Sequence, residues 1–408
     1  MFASTSRRGY SKLRRLLHPN SLSVACGIQL PIVVILISCS TANSQWISDP
    51  AVDARLLRGI DYIYNIEFEK ADREFDQVIR LQSDHPAGYF FRAMTQWWRI
   101  LSDFENESHD KKFYEMLETV IEMCERRLEE NENDVTALFF KGGAVGFRGR
   151  LRANRGAWLG AANDGMTALP AVRKAHELEP ENFDVLLGIG IYNYYAEVIP
   201  GQYPIVKPLM LFFPSGDRKK GLEQLLLASQ KAKYAKTEAT YFLLQSYFTY
   251  EKQYLKALEI ARELHAKYPR NPLFHRIYGR CYVSLGNWGE ASRLFAEVEE
   301  RFREKQPGYD VYDGREAYYY LGKFHFLSGR LNEALQSLYK CDELSRKLDK
   351  EGASGFMSMS NLTIGLIYDL QKRRASAVAQ YRKVLDMKEF ENTHKDARRF
   401  IEHPYTRN

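Results

Sequence analysis

The chain contains 408 residues, of which 45% are hydrophobic, so it is long enough to bury a large core. Its formal charge of +6 comes almost entirely from residues 1–38, which hold five basic side chains and no acidic one. The remainder, with 53 basic and 52 acidic residues, is close to neutral. This balance gives no support for nucleic-acid binding, so no nucleic acid is expected among the partners.

Residues 1–38 have the pattern of an export signal, with a basic start and an apolar run from Leu22 to Ser38. The run has 17 residues, which is short for a membrane-spanning helix of about 20. It ends in Leu36-Ile37-Ser38-Cys39, which resembles a bacterial lipobox and implies that the Cys39 thiol carries a lipid. Signal cleavage after Ser44 is the alternative. We therefore expect an exported lipoprotein in the cell envelope, at the periplasmic side of a bacterial outer membrane.

A helical hairpin pattern recurs through the rest of the chain, and residues 272–305 show it most fully. Gly279 is followed at offsets of 3, 12, 16 and 19 residues by Tyr282, Ala291, Phe295 and Val298. This spacing places apolar residues on one face of each of two helices, with turn residues at 285–287 between them. The small Gly279 and Ala291 predict a close approach of the two helices. The same offsets recur from Gly59, Gly322 and Gly365.

At this spacing the segments resemble tetratricopeptide repeats, whose period is about 34 residues. The resemblance implies an all-α fold, a right-handed superhelical solenoid of about eight helical hairpins. After the signal peptide, we expect a tether over residues 39–50 and the solenoid over 51–391. Residues 392–408 are expected to form a capping helix and a tail.

Two insertions are predicted to interrupt the array. Residues 148–156 would lengthen a connection and carry four arginines, Arg148, Arg150, Arg152 and Arg155, which either grip an anionic group or line a solvated loop. Residues 200–217 contain four prolines, which predict a break after a tyrosine-rich helix, and an apolar run that includes Leu209, Phe212 and Phe213. Because that run is too apolar for water, we expect it to pack on the inner surface of the array. A partner or the bilayer edge is the alternative cover.

In tetratricopeptide repeat proteins, ligands lie in a concave groove lined by the first helix of each hairpin. Carried onto this sequence, the groove positions form an aromatic trough with one basic end. They include Tyr194, Tyr195, Tyr250, Arg276, Arg280, Tyr319, Lys323 and Phe326. Arg276 and Arg280 stand one helical turn apart, so both are expected to face the acidic end of a bound peptide.

Common catalytic and metal-binding motifs are missing from the sequence. The nine histidines are scattered singly, without an HExxH motif or a cysteine pair at zinc spacing. The glycine-rich residues 142–146 lack the Gly-Lys-Ser/Thr of a phosphate-binding loop. No catalytic residue, metal or cofactor is therefore predicted. Cys281 and Cys341 lie at apolar positions of consecutive repeats, where a disulfide is geometrically possible and buried free thiols are the alternative.

The leading functional hypothesis is a noncatalytic scaffold, held at the membrane by its lipid, that binds a partner protein or peptide in the groove. One alternative is a glycan-binding repeat lipoprotein, which requires an exposed tryptophan. The tryptophans that test it are Trp97, Trp98, Trp158 and Trp288. A further alternative, a periplasmic enzyme, requires carboxylates or histidines clustered in the groove.

Overall fold

A computed structural model describes residues 47–211, 213–350 and 352–407, apart from the side chains of Ile205 and Leu209. All regular secondary structure within these ranges is helical, which confirms the all-α prediction. None of the helices in these ranges has the length and hydropathy that crossing a membrane requires. The predicted signal peptide and Cys39 lie outside the described residues.

The helices pair into eight successive hairpins, the number that the repeat pattern predicted. The first four pairs are α1 (Pro50–Tyr64) with α2 (Phe68–Leu81), α3 (Pro86–Ser102) with α4 (Asp110–Glu130), α5 (Val135–Asn154) with α6 (Trp158–Leu178), and α7 (Val185–Gln202) with α9 (Arg218–Lys231). A short helix, α8 (Lys207–Met210), lies between α7 and α9.

The last four pairs are α10 (Lys236–Gln245) with α11 (Tyr254–Lys267), α12 (Pro272–Ser284) with α13 (Trp288–Arg303), α14 (Val311–Leu327) with α15 (Leu331–Leu348), and α16 (Gly355–Leu370) with α17 (Arg374–Leu385). A π-helical turn, Ser246–Tyr250, continues α10. Single 3-10 turns occur at Glu107–His109 and Pro204–Val206. The predicted capping helix is α18 (Thr393–Glu402).

The glycines of the repeat pattern mark the points where paired helices approach most closely. A Cβ atom added to Gly279 would lie 2.8 Å from the ring of Phe295, sixteen residues later on the partner helix. One added to Gly322 would lie 2.7 Å from the side chain of Leu338. Gly59 faces Phe75 in the same way. The close approach predicted from the spacing is therefore confirmed.

The first six hairpins share one hydrophobic core, because α1 and α3 pack across the array onto α10, α11 and α12. The hydroxyl of Tyr64 on α1 donates to Glu238 Oε2 on α10 at 3.0 Å. The amide of Asn271, which caps α12, donates to the backbone oxygen of Tyr64 at 2.8 Å. The ring of Trp98 on α3 lies 5.6 Å from that of Phe274. In a simple solenoid each repeat contacts only its neighbours, so these contacts close the first part of the array on itself.

The predicted insertion at residues 148–156 is wrong, because α5 continues as a helix through Asn154. The third hairpin departs from the repeat period because its helices are long: α5 has 20 residues and α6 has 21. The arginine-rich segment keeps its helical form because Leu151 is buried in the core while acidic side chains on α4 and α6 pair with the arginines.

The predicted break after the tyrosine-rich helix begins at residue 203 and not at Pro200, because α7 includes Pro200 and ends at Gln202. A proline lacks a backbone donor and its ring clashes with the carbonyl four residues earlier, so it kinks or ends a helix. Residues 203–217 then connect α7 to α9 and include the short helix α8.

Candidate functional site

The groove positions of the fifth hairpin are occupied by the chain itself. Contacts from α1 and α3 leave Glu238, Tyr241 and Phe242 on α10 buried, with at most 6% of each residue exposed. The hydroxyl of Tyr268, at the end of α11, donates to Asp61 on α1 at 2.6 Å and reinforces this contact. Phe242, a predicted groove residue of this hairpin, is therefore part of the core.

The three predicted groove tyrosines of the fourth and fifth hairpins differ in exposure. Tyr194 is buried, and its hydroxyl donates to Glu251 Oε1 at 2.7 Å. Tyr195 and Tyr250 are half-buried, with ring centroids 5.7 Å apart in an edge-to-face arrangement. Glu251 also binds Arg218 on α9. Only Tyr195 and Tyr250 keep part of their surface available to a partner.

Arg150 lies in the interior of the array and not in a loop. Its guanidinium carbon is 4.8 Å from the centroid of the Trp97 ring and 4.4 Å from that of Phe242. Its Nη1 atom is 3.6 Å from Glu238 Oε1, so the two charges face each other within the closed core. Burial raises the pKa of Glu238, and the positive charge of Arg150 opposes that rise. The arginine stabilises a buried carboxylate and is not available to an external anion.

The other three arginines of this segment also bind acidic side chains of the chain itself. Arg148 and Arg152 both bind Asp164 on α6, with N···O distances of 2.7 and 2.8 Å. Arg155 donates from Nε to Asp110 Oδ2 at 2.7 Å. The prediction of an anion-gripping or solvated loop is therefore wrong. These arginines join α5 to α4 and α6.

The predicted basic end of the groove is neutralised from within the fold. Glu316 on α14 is buried between Arg276 and Arg280 of α12, and Arg276 Nη1 donates to Glu316 Oε2 at 2.8 Å. Arg276 also binds Asp313, with an Nε···Oδ1 distance of 2.6 Å. Burial alone would raise the pKa of Glu316, but the charges of Arg280 and Arg276 outweigh it and lower the pKa to about 2. The expectation that both arginines face an acidic peptide is therefore wrong.

Residues 203–217 pack on the third hairpin. The ring of Tyr203 lies 6.0 Å from that of Trp158, and the ring of Phe213 lies 3.2 Å from where a Cβ atom on Gly165 would be. Both contacts are made with α6, the second helix of its hairpin, and not with the first helices that line the groove. Leu211 is 84% exposed. The side chains of Leu209 and Phe212 lie outside the described part of the segment.

The predicted groove residues of the seventh hairpin lie together on α14. Tyr319 is half-buried, with its ring edge-on to Phe356 of α16 at 5.3 Å. Phe326 is buried. The centroid of its ring lies 6.4 Å from that of Tyr405 and 5.7 Å from the guanidinium carbon of Arg407. The Nζ atom of Lys323 lies 5.9 Å from the same ring.

Lys323 makes no hydrogen bond or ion pair with any residue that the structure describes. It is half-buried, and this burial lowers its pKa. Among the three predicted groove cations, Arg276 and Arg280 bind Glu316, whereas the charge of Lys323 has only an aromatic neighbour. Lys323 is therefore the predicted groove cation that has no carboxylate partner among the described residues.

Family models for the tetratricopeptide repeat match residues 249–309 and 282–341, which span the hairpins from α11 to α15. Residues 249–341 therefore form tetratricopeptide repeats. Repeats of this family are generally protein-binding and noncatalytic. No curated protein matches the sequence.

Several solved structures share a distant likeness in fold with this chain. Human IFIT1 with m7Gppp-AAAA has 13% identity and a TM-score of 0.42, covering 88% of this chain and 90% of that one. The C-terminal part of a repeat-containing protein from Cytophaga hutchinsonii has 15% identity and a TM-score of 0.36, covering 71% and 95%. Yeast Tom70 has 12% identity and a TM-score of 0.34, covering 84% and 86%.

The four tryptophans that test glycan binding divide into two groups. Trp97 and Trp98 are buried in the core, so they cannot form a sugar platform. Trp158 and Trp288 are half-buried, and Trp158 lies beside Tyr203, which is 48% exposed. Trp158 and Tyr203 therefore form a partly exposed aromatic pair at the start of residues 203–217.

The cysteines of the repeat region are free and buried. Burial raises the pKa of Cys281 to about 12 and that of Cys341 to about 11, so neither thiol is ionised at neutral pH. The possible disulfide between them is not formed, and the alternative of free thiols holds.

One cluster of polar side chains was missed by the sequence analysis. His265, His275 and Glu297 come from α11, α12 and α13, and each offers a potential metal-ligating atom within 4.8 Å of the others. The three residues are separated by 10 and 22 positions, which matches neither an HExxH motif nor a cysteine pair at zinc spacing. The cluster exists only because three consecutive helices of the repeat array meet there.

Proposed function

We propose that this tetratricopeptide repeat protein is a noncatalytic scaffold that binds an acidic segment of another protein on α14, around Lys323. The observation that carries the proposal is the half-buried Lys323, which has no carboxylate partner in the described residues. A cation in this position has lost part of its hydration without gaining an ion pair, which is unfavourable. A carboxylate from a partner would supply that ion pair through a charge-assisted hydrogen bond.

The surroundings of Lys323 support binding to a protein segment. Tyr319 and Tyr320 are half-buried on the same helix, and Leu327 is 43% exposed one turn further on. Aromatic side chains that are partly exposed contribute strongly to protein interfaces, because they bury a large area with few rotatable bonds. The ammonium group would orient the acidic residue, and the aromatic residues would contribute most of the buried area.

The closed part of the array supports a site in the seventh hairpin. Glu238 and Phe242 are covered by α1 and α3, and Arg276 and Arg280 bind Glu316. A partner that entered there would have to displace these contacts. On α14 the proposed surface requires no such rearrangement.

The binding proposal can be tested by photocrosslinking. A photoreactive amino acid replaces Tyr320 in the full chain, and crosslinked partners are compared between the wild-type background, Lys323→Glu and Lys112→Glu. Lys112 is an exposed lysine on α4, the second helix of its hairpin, and serves as the matched control. We expect one partner to be lost in Lys323→Glu and retained in Lys112→Glu and Lys323→Arg. Identical partners in all backgrounds would refute the proposal.

We also propose that a lipid on Cys39 anchors the protein at the periplasmic side of a bacterial membrane, in agreement with the export signal in residues 1–38. The substitution Cys39→Ala should move the protein from the membrane fraction to the soluble periplasmic fraction and abolish incorporation of labelled palmitate. The mass of the mature N-terminus distinguishes this modification from cleavage after Ser44. Palmitate labelling that persists in Cys39→Ala would exclude Cys39 as the anchor.

Glycan binding is a second candidate, supported by the partly exposed pair of Trp158 and Tyr203. Neighbouring aromatic rings on a surface can stack against the apolar face of a sugar. Intrinsic fluorescence should then change on titration with envelope polysaccharides, and the change should disappear in Trp158→Ala but persist in Trp288→Ala. A lack of response in the wild type would remove this candidate.

A further inference from the structure

We propose that His265, His275 and Glu297 form a binding site for a divalent transition-metal ion. Zinc is the ion with which we would test this site. The three side chains come from the end of α11, the start of α12 and the middle of α13. Their potential ligand atoms lie within 4.8 Å of one another. Two imidazoles and a carboxylate are a donor set that suits zinc, copper or nickel and does not suit calcium or magnesium.

Two buried imidazole nitrogens in this cluster have no hydrogen-bond partner. His265 Nδ1 and His275 Nε2 are both inaccessible to solvent, and neither makes a hydrogen bond. His275 is fully buried, and its Nε2 atom is 3.6 Å from Glu297 Oε2, which is too long for a hydrogen bond. Buried polar atoms are nearly always paired in folded proteins, so two in one place require an explanation.

A hydrogen bond outside the cluster orients the imidazole ring of His275. Its Nδ1 atom lies 3.0 Å from the hydroxyl of Tyr309, which also accepts a hydrogen bond from Arg301 Nη1 at 2.8 Å. When Nδ1–H donates to Tyr309, the lone pair of Nε2 faces the cluster. Metal-binding histidines commonly use their second nitrogen in this way, because the outer hydrogen bond sets the tautomer and the direction of the ring.

The two imidazoles also pack directly against each other. Their rings are stacked, with centroids 4.3 Å apart and planes 25° apart. Both rings therefore lie at the same place in the structure, next to the Glu297 carboxylate.

Two features of the cluster limit its affinity. Arg293 binds Glu297, with an Nη1···Oε1 distance of 2.6 Å, and both Arg293 and Arg301 place positive charge near the site. Stacked rings also direct their lone pairs in parallel, so one ring must rotate before both can bind the same ion at about 2.0 Å. Of the two rings, His265 is half-buried and His275 is buried, so we expect His265 to be the ring that rotates. We therefore expect an affinity in the micromolar range.

A metal ion at this position would connect the fifth hairpin to the sixth. His265 belongs to the fifth hairpin, whereas His275 and Glu297 belong to the two helices of the sixth. An ion that binds only the folded arrangement stabilises it by mass action. Zinc should therefore raise the thermal stability of the protein as well as bind to it.

The test is zinc titration of the full chain, purified in detergent with a tag that contains no histidine and treated with a chelator. Calorimetry and thermal unfolding are measured for the wild type, Glu297→Gln, His265→Asn and a control, His325→Asn. His325 is half-buried and also has an unpartnered Nδ1, but it belongs to no such cluster among the described residues. Circular dichroism checks that each variant is folded. If His265→Asn does not fold, the comparison of Glu297→Gln with the wild type is sufficient to test the site.

We expect one zinc ion per chain and a rise in Tm of several degrees in the wild type and in His325→Asn. Binding should be at least tenfold weaker in Glu297→Gln and His265→Asn, and magnesium should have no effect on the wild type. Co²⁺ should give the visible absorption bands of a tetrahedral nitrogen and oxygen site in the wild type and in His325→Asn, but not in Glu297→Gln or His265→Asn. Absence of zinc binding in the wild type, or equal binding by the wild type and Glu297→Gln, would overturn the proposal.

Discussion

At the scale of single residues, the glycines on the first helices set the distance between the helices of a hairpin. The effect at Gly279 is specific, because Phe295 is fully buried and its ring would be only 2.8 Å from an added methyl group. Gly146, on α5, is exposed and has no atom within 4 Å of the same position. The same substitution should therefore have opposite effects at these two sites.

We expect Gly279→Ala to lower the free energy of unfolding by about 1–2 kcal/mol, since overpacking costs about 1–3 kcal/mol and alanine recovers up to about 1 kcal/mol of helix propensity. Gly146→Ala, without the steric cost, should raise it by up to about 1 kcal/mol. Denaturant unfolding monitored by circular dichroism measures both. Stabilisation by Gly279→Ala would show that the two helices can separate at little cost.

Glu316 determines how the buried charges on α12 and α14 respond to acid. Its pKa is about 2 in the folded chain, below the ordinary value of 4.5. A lowered pKa stabilises the fold at pH values above 4.5, and this contribution is lost as the pH falls towards 2. We expect Glu316→Gln to destabilise the protein by about 3 kcal/mol at pH 7, because Arg276 and Arg280 lose their shared partner.

The difference in unfolding free energy between the wild type and Glu316→Gln should shrink by about 1 kcal/mol between pH 7 and pH 4. Denaturant titrations at the two pH values give this difference. Glu343→Gln is the control, because Glu343 is exposed and its loss should leave stability unchanged. A difference that stays constant over this range would mean that Glu316 does not titrate as its surroundings predict.

At the scale of helices, Asp164 is the side chain that joins α5 to α6. It is fully buried, and it accepts hydrogen bonds from Arg148 and Arg152 on successive turns of α5. The helices are close at this level, since a Cβ atom on Gly149 would lie 2.9 Å from the Cβ atom of Asp164. A buried carboxylate with two arginines explains why a segment so rich in positive charge is a helix packed on its neighbours.

We expect Asp164→Asn to lower the free energy of unfolding by about 2 kcal/mol. The loss is smaller than the roughly 3–5 kcal/mol typical of a broken buried ion pair, because Arg148 and Arg152 keep some contact with solvent. Glu118→Gln removes the exposed partner of Arg148 and should cost less than about 1 kcal/mol. Equal effects of the two substitutions in denaturant unfolding would contradict the role given to Asp164.

At the scale of the whole described structure, contacts between distant repeats distinguish this protein from an open solenoid. Tyr64 and Glu238 are 174 residues apart in sequence and share a buried hydrogen bond. The ring of Tyr64 also packs against Trp98 at 5.0 Å and Tyr268 at 5.5 Å. The first hairpin therefore stabilises the fifth and sixth directly, and not only through the repeats between them.

Replacing Tyr64 with alanine should expose this coupling. We expect Tyr64→Ala to cost about 3–5 kcal/mol, as for other buried aromatic residues, and to increase hydrogen exchange in α10 and α12 as well as in α1. Tyr62→Ala is the control, because Tyr62 is half-buried and contacts Lys70 within its own hairpin. Increased exchange confined to the first two hairpins in Tyr64→Ala would show that the closing contacts carry little energy.

The sequence by itself determined the all-α class, the eight hairpins and the levels at which paired helices touch. These features depend on interactions between residues less than about 20 positions apart, and a periodic pattern records them directly. The groove positions of Tyr319 and Lys323 follow from the same period. The lengths of α5 and α7 were not predicted, because the partners that bury Leu151 and neutralise Arg148 are not visible in the local pattern.

Only the tertiary structure decided which parts of the groove are open. Small rotations between successive repeats add up along the array, and their sum brings α1 against α10 and α12. The burial of Phe242 follows from these contacts between distant repeats. The pairing of Arg276 and Arg280 with Glu316 and the meeting of His265, His275 and Glu297 depend on how consecutive repeats pack against each other. A single sequence specifies each hairpin through its own spacing, whereas the contacts between distant hairpins depend on geometry accumulated over the whole array.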